Sequence, residues 1–249
     1  MIRKILILLF LLLVAVYLMV AVTVFNTRPA DQVCQGVELI IQDSIDHGFI
    51  PQEEVLRVLK RKKLSPVGKK MGDINTRQLE DELTEHPLIE NVECYRTPGG
   101  KIGIEITQRL PILRVMAGNG DNYYIDNKGK IMPLPHSSAH VAVVTGHVDR
   151  DFASKELYKL GAFLQNHPLW NAQIEQIHVT PTQELELVPR VGEHIIFLGK
   201  PGGYEEKFDR LQTFYKKGLN QVGWNKYSRI SLEFSNQIIC TKKENKIWQ

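Results

Sequence analysis

Three histidines, His136, His140 and His147, are the only histidine cluster in the sequence. His136 and His140 have the i,i+4 spacing that puts two imidazoles on one helix face for a divalent metal. Pro133 and Pro135 lead into them, however, and no acidic or cysteine ligand stands at motif spacing. The stretch reads as a solvent loop. "DNKGK", from Asp126, has the start of a calcium loop without its later acids and closing glutamate, which leaves a hairpin turn. "GKPGG", from Gly199, lacks the Lys-Ser or Lys-Thr pair of a phosphate loop and reads as a turn before a helix. No serine lies in a G-x-S-x-G elbow. Cys240 sits beside an apolar run with no histidine placed to activate it. The three cysteines, Cys34, Cys94 and Cys240, fit no zinc spacing. A Cys34–Cys94 disulfide and buried free thiols both fit. Sites assemble in space, so these absences leave an enzyme open, but nothing in the sequence calls for a catalytic residue, cofactor or metal.

The elements around these residues say more than the residues do. The chain has 249 residues, 43% hydrophobic and 24% charged, with a net charge of +3. That is ordinary globular material, too near neutral to argue for nucleic acid. Residues 5–25 carry no charge. At about 1.5 Å per residue such a run spans roughly 30 Å, the hydrocarbon thickness of a bilayer. It is too long for a signal peptide core and ends in no Ala-x-Ala site, so an uncleaved anchor is expected. Arg3 and Lys4 precede it. They favour a cytoplasmic tail over residues 1–4, with the bulk of the chain outside the cytoplasm. The basic run "KRKKLSPVGKK", residues 60–70, reads as a solvated helix end and loop.

A polar linker over 26–35 precedes "GVELIIQD", whose Val37, Leu39 and Ile41 alternate as in a strand. "IPQEEVLRVLKRKK" predicts a helix with Pro51 at its first position, acids in its first turn and a stripe of Val55, Leu56 and Leu59. Asn75, with Gln78 three residues on, predicts the N-cap of a second helix that buries Leu79 and Leu83 and stops at Pro87. Val92 and Cys94, then Ile102, Ile104 and Ile106, alternate on two strands joined by a turn at Pro98-Gly99-Gly100. The order strand, helix, helix, strand, strand over 36–109 makes a small sheet covered by two helices. From residue 110 the texture changes to short strands. A hairpin turns at 127–129, two helices lie near 151–167 and 204–217, and "RISLEFSNQIICTKK" closes the chain with two strands. The fold class is α+β. An N-terminal transmembrane helix is followed by a β-α-α-β-β module and a strand-rich β domain with two helices over 110–243, then a tail at 244–249.

"LTEHPLIENVECYRTPGGKIGIEITQRLPI" resembles the second half of the POTRA domain of the bacterial division family FtsQ/DivIB. The matching features are His86-Pro87-Leu88-Ile89, the two strands after it, and Gln108-Arg109-Leu110-Pro111-Ile112 at the end. "YYIDNKGKIMPLP" resembles that family's next landmark, an aspartate and a glycine in a hairpin. The resemblance implies a non-enzymatic, single-pass protein of the inner membrane, concentrated at the septum. Its POTRA domain would lie nearest the membrane. Its β domain would bind the periplasmic segments of FtsB and FtsL, the partner adding a strand beside the last strand. Carried onto this chain, the family's aromatic anchor falls on Phe234. Asn236 and Gln237 fill the turn, and Ile238, Ile239 and Cys240 form the partner-facing strand. Lys242 takes the place of a tryptophan, for which Trp248 is the substitute indole. Ser231 and Glu233 depart from the acid and base of the pattern. A membrane-anchored extracytoplasmic hydrolase and a POTRA adaptor for outer-membrane protein assembly are the alternatives.

Overall fold

The computed structural model describes residues 2–25, 31–42, 48–135 and 137–243. Within the first helix it describes the side chains of residues 3, 7 and 9–21. That helix, α1 (Ile2–Phe25), is 24 residues long. Its described side chains run unbroken only over 9–21, and among the described residues no helix is long and apolar enough to cross a membrane. The chain divides into two compact units, Met1–Ser44 with Pro51–Gln108, and Ile45–Ile50 with Arg109–Gln249.

The first unit contains a three-stranded sheet in the order β1-β3-β2, built from β1 (Gly36–Ile41), β2 (Ile89–Arg96) and β3 (Lys101–Gln108). The central β3 runs parallel to β1 and antiparallel to β2. Ile102, Ile104 and Ile106 are all fully buried, as period-two alternation demands of a half-covered strand. Helices α2 (Gln52–Arg61) and α3 (Thr76–Thr84) complete the unit. Asn75 caps α3 by accepting from the Gln78 backbone N–H, as its spacing predicts. Pro51 is the N-cap of α2 rather than its first turn. The apolar stripe of α2 is also corrected: Val58 is buried with Val55 and Leu59, whereas Leu56 is 39% exposed. At 3.6 residues per turn, Val55, Val58 and Leu59 share a face and Leu56 points off it.

Residues 31–35, read as linker, are stitched to the loop after α2. Val33 bridges Lys70, the Cys34 N–H donates to Lys69 O at 2.8 Å, and Gly68 N–H donates to Cys34 O at 2.9 Å. All three cysteines are free thiols, which removes the Cys34–Cys94 disulfide.

The second unit is a nine-stranded mixed sheet in the order β12-β11-β10-β9-β8-β7-β4-β5-β6. Its strands are β4 (Pro111–Ala117), β5 (Asn122–Asp126), β6 (Ile131–Met132), β7 (Ala142–Gly146), β8 (Ile174–Val179), β9 (Leu185–Pro189), β10 (Ile195–Gly199), β11 (Tyr227–Ser231) and β12 (Ile239–Lys242). Of its three parallel pairs, β4 with β7 is joined through the β5–β6 hairpin, while β7 with β8 and β10 with β11 are joined through helices, because a parallel return needs a crossover. The first crossover is α4 (Arg150–Phe152), a π-helical stretch Ala153–Leu157, α5 (Tyr158–Asn166) and a separate short helix, α6 (Pro168–Gln173). The expected pair of helices therefore becomes three, since Pro168 opens a new helix after His167 leaves helical geometry. The second crossover is α7 (Tyr204–Phe214), continued by a π-helical stretch Tyr215–Leu219 and the short α8 (Asn220–Val222). Gly161 lets the first crossover lie close on the sheet: a Cβ there would stand 2.7 Å from Leu113 Cγ. The core beneath includes Leu113, Val115, Val144, Ile177, Leu187, Ile196, Phe208, Leu211 and Ile230.

The β5–β6 hairpin turns at Gly129, whose φ of +76° suits glycine alone. Asp126, 2% exposed, organises that turn. One of its oxygens accepts from the N–H groups of Lys128 and Lys130 at 2.9 and 2.8 Å, and the other from Arg109 Nη1 at 3.0 Å.

Candidate functional site: the C-terminal sheet edge

The last strand, β12, pairs with β11 and ends the sheet order. Among the described residues no strand lies on its other side. The ladder aligns Ser231 with Ile239, Ile230 with Cys240, Arg229 with Thr241 and Tyr227 with Lys242, the irregularity falling on β11 between Tyr227 and Arg229. Just beyond the strand, the Lys243 N–H donates inward to Lys226 O at 3.1 Å. Antiparallel ladders alternate, so the N–H groups of Thr241 and Ile239 turn inward with it. Those of Cys240 and Lys242 turn to the open edge, where unpaired backbone groups form a template for another strand.

The loop before β12 is held by a residue that sequence reasoning missed. Arg210, on α7, donates from Nη1 to Phe234 O and, at 3.3 Å, to Gln237 O; its Nη2 donates to Leu232 O at 3.1 Å. A planar guanidinium holds several carbonyls in one fixed fork geometry, with less side-chain freedom lost per bond than a flexible lysine. Its only sequence signal is an arginine on the polar side of the helix stripe. On this scaffold Phe234 is 45% exposed and Asn236 and Gln237 are exposed. Ile238 and Cys240 pack against the core, while Ile239 is 45% exposed on the opposite face. Arg210, Thr213, Phe214 and Lys217 of the second crossover, with Asn236 and Ile238, line a groove of about 570 Å³ alongside the loop. Phe234 through Lys242 are thus brought together at one edge of the sheet. Lys242 is exposed at the end of the strand, and Trp248 lies outside the described residues. Further in, Arg229 on β11 stacks over the Phe197 ring at 4.2 Å and donates to Glu186 at 2.7 Å.

The strands behind this edge rest on an aromatic cluster. His194, 1% exposed, lies 2.8 Å from the Tyr215 hydroxyl through Nε2, and Trp224 packs edge-on against Tyr215 at 4.8 Å. Burial holds the His194 imidazole below its ordinary range. The unfolded chain therefore takes up this proton first as pH falls. The stability that His194 contributes is complete above the unfolded imidazole value of about 6.5 and is lost below it. The unfolding midpoint should drop as pH is lowered through that value, and His194→Gln should flatten the drop. A slope unchanged by the substitution would contradict this role.

The residues read for other chemistry form no such assembly. His140 and His147 are exposed in loops, and His136 lies outside the described residues. Among the described residues no group of histidine, cysteine, aspartate or glutamate is arranged to hold a metal ion. Burial, with the Glu80 carboxylate nearby, pushes the Cys94 thiol up to about 12, and burial also raises that of Cys240. Both are protonated at neutral pH, and the thiol is the unreactive form.

The chain thus combines a small module with one parallel and one antiparallel strand pair and a nine-stranded mixed sheet with an open C-terminal edge, a two-unit α+β fold. Residues 32–107 match the family model of the POTRA-like domain, and residues 110–241 match that of FtsQ/DivIB, C-terminal related. The chain belongs to the FtsQ/DivIB family. It is similar to the cell division protein FtsQ of Rhodothermus marinus (strain ATCC 43812 / DSM 4252 / R-10), with 25% identity over 189 residues, covering 71% of this chain and 68% of the relative.

Proposed function

We propose that this chain is a non-enzymatic scaffold of the division machinery. It is anchored in the inner membrane by α1 and captures the periplasmic segments of FtsB and FtsL at the division septum. Membership of the FtsQ/DivIB family supports the division role. The uncharged run over residues 5–25, continuous within α1, supports the anchor. The observation that carries the capture mechanism is the edge position of β12, with an exposed aromatic residue at its entrance. A partner segment in extended conformation would pair with the outward N–H and C=O groups of β12. Phe234 and Ile239 would cover its side chains, and Arg210 would keep the loop in place so that the entropy of ordering it is met before binding. By this joining of partners the scaffold would link early and late division proteins for septal peptidoglycan synthesis.

Titration of the protein with the periplasmic FtsB–FtsL segments tests the reading. A buried aromatic anchor contributes about 2 kcal/mol to an interface, so Phe234→Ala should weaken binding roughly thirtyfold. Equal affinity for wild type and variant would move the anchor elsewhere, toward Lys242 and Trp248. A folded protein that binds neither segment would overturn the scaffold reading.

A further inference from the structure

The basic run that sequence reading leaves as solvated surface has a structural position that gives it a partner. No acidic residue occurs between Glu54 and Asp73, while Arg57, Lys60, Arg61, Lys62, Lys63, Lys69 and Lys70 do. Lys62 is taken by Glu82 and Glu85. Lys60, Arg61, Lys63, Lys69 and Lys70 are exposed, and among the described residues no carboxylate pairs with them. Lys63 holds a left-handed φ of +57°, a position that glycine usually fills at a helix end, so the chain reverses there with its charge retained.

The end of this run is bonded to the chain that leaves α1. Met71 N–H donates to Gln32 O at 2.8 Å, Cys34 N–H to Lys69 O at 2.8 Å, and Val33 bridges Lys70. Only residues 26–31 separate Phe25 from Gln32. Whatever its conformation, a chain of that length reaches at most roughly 25 Å. Lys69 and Lys70, one interstrand step of about 5 Å further on, are therefore tethered within roughly 30 Å of the end of the apolar helix. A surface of unpaired cations held so close to a bilayer meets anionic headgroups at high effective concentration.

We propose that the 57–70 surface of the first unit docks on anionic lipid headgroups of the membrane that holds α1. The inference rests on the membrane-anchor reading above. Docking would hold the POTRA-like unit against the bilayer. It would weaken with salt, because headgroup attraction is screened within a Debye length.

The test uses the full chain reconstituted in lipid nanodiscs of phosphatidylcholine alone or with phosphatidylglycerol. Lysine acetylation is read residue by residue by mass spectrometry, and an acyl-chain photoprobe reports insertion of α1. In phosphatidylglycerol discs at low salt, acetylation of Lys60, Lys63, Lys69 and Lys70 should slow about threefold or more, and molar salt should restore it. Lys69→Gln combined with Lys70→Gln should restore the labelling of Lys60 and Lys63. Photolabelled α1 with equal acetylation in both disc types would overturn the docking surface and leave the anchor standing. So would slowing that ignores lipid charge and salt. An α1 that the photoprobe does not reach would overturn the anchor reading, and the docking proposal with it.

Discussion

Cys240→Pro should weaken capture of the FtsB–FtsL segments roughly thirtyfold or more while both units of the protein stay folded. The ladder turns the Cys240 N–H away from β11, since Lys243 donates inward to Lys226 and antiparallel residues alternate. A sheet tolerates proline at an edge strand where the missing N–H faced solvent. The substitution therefore spares the β11–β12 ladder and removes a donor that only an added strand would use. Losing that bond and leaving the partner carbonyl desolvated costs about 2–4 kcal/mol, a factor of roughly thirty to a thousand in affinity. Thr241→Pro is the contrasting control. Its N–H points inward, so the same proline should loosen β12 itself and show in the unfolding midpoint as well as in binding. If Cys240→Pro left affinity unchanged while the protein bound its partner, strand pairing at this edge would be wrong.

Asp126→Ala should give the largest loss of stability of any single substitution considered. The carboxylate is buried and accepts from two turn N–H groups and from Arg109, whose side chain is itself only 13% exposed. Removing it takes the buried carboxylate partner from the Arg109 guanidinium and the side-chain acceptor from two turn N–H groups at once. Breaking a buried ion pair by deleting one partner costs about 3–5 kcal/mol. A thermal or denaturant melt of the second unit should record a loss of that size. Asp126→Asn should recover part of it, because the amide oxygen can still accept from the turn. A change of less than about 1 kcal/mol would mean that the aspartate merely decorates the hairpin.

The first unit was legible because its signals are local. The Asn75 cap, the alternation of Ile102, Ile104 and Ile106 and the Pro98-Gly99-Gly100 turn each depend on neighbours in sequence. Leu56 was misassigned because one residue of helical phase separates a buried from an exposed position, and Pro51 sits at that same margin. The strands of the second unit could be read one by one from their periodicity. Their order could not, since the β4–β7 and β10–β11 pairings join segments distant in the chain. The same limit hid Arg210. Its three carbonyl partners lie more than twenty residues away, in a loop that sequence treats as unstructured. Phe234 was singled out only through the resemblance, because an exposed phenylalanine in a polar loop has no periodicity to announce it. The pairing of residues 32–34 with 68–71 was invisible for the same reason, and with it the position of the basic run beside the linker.

The most direct measurement of the central claim is residue-resolved amide exchange along β12, with and without the periplasmic FtsB–FtsL segments. Capture by strand addition predicts that the Cys240 and Lys242 amides, open in the free protein, exchange about tenfold slower or more in the complex, while the inward Thr241 amide changes far less. A tight complex in which Cys240 and Lys242 exchange as they do in the free protein would contradict it.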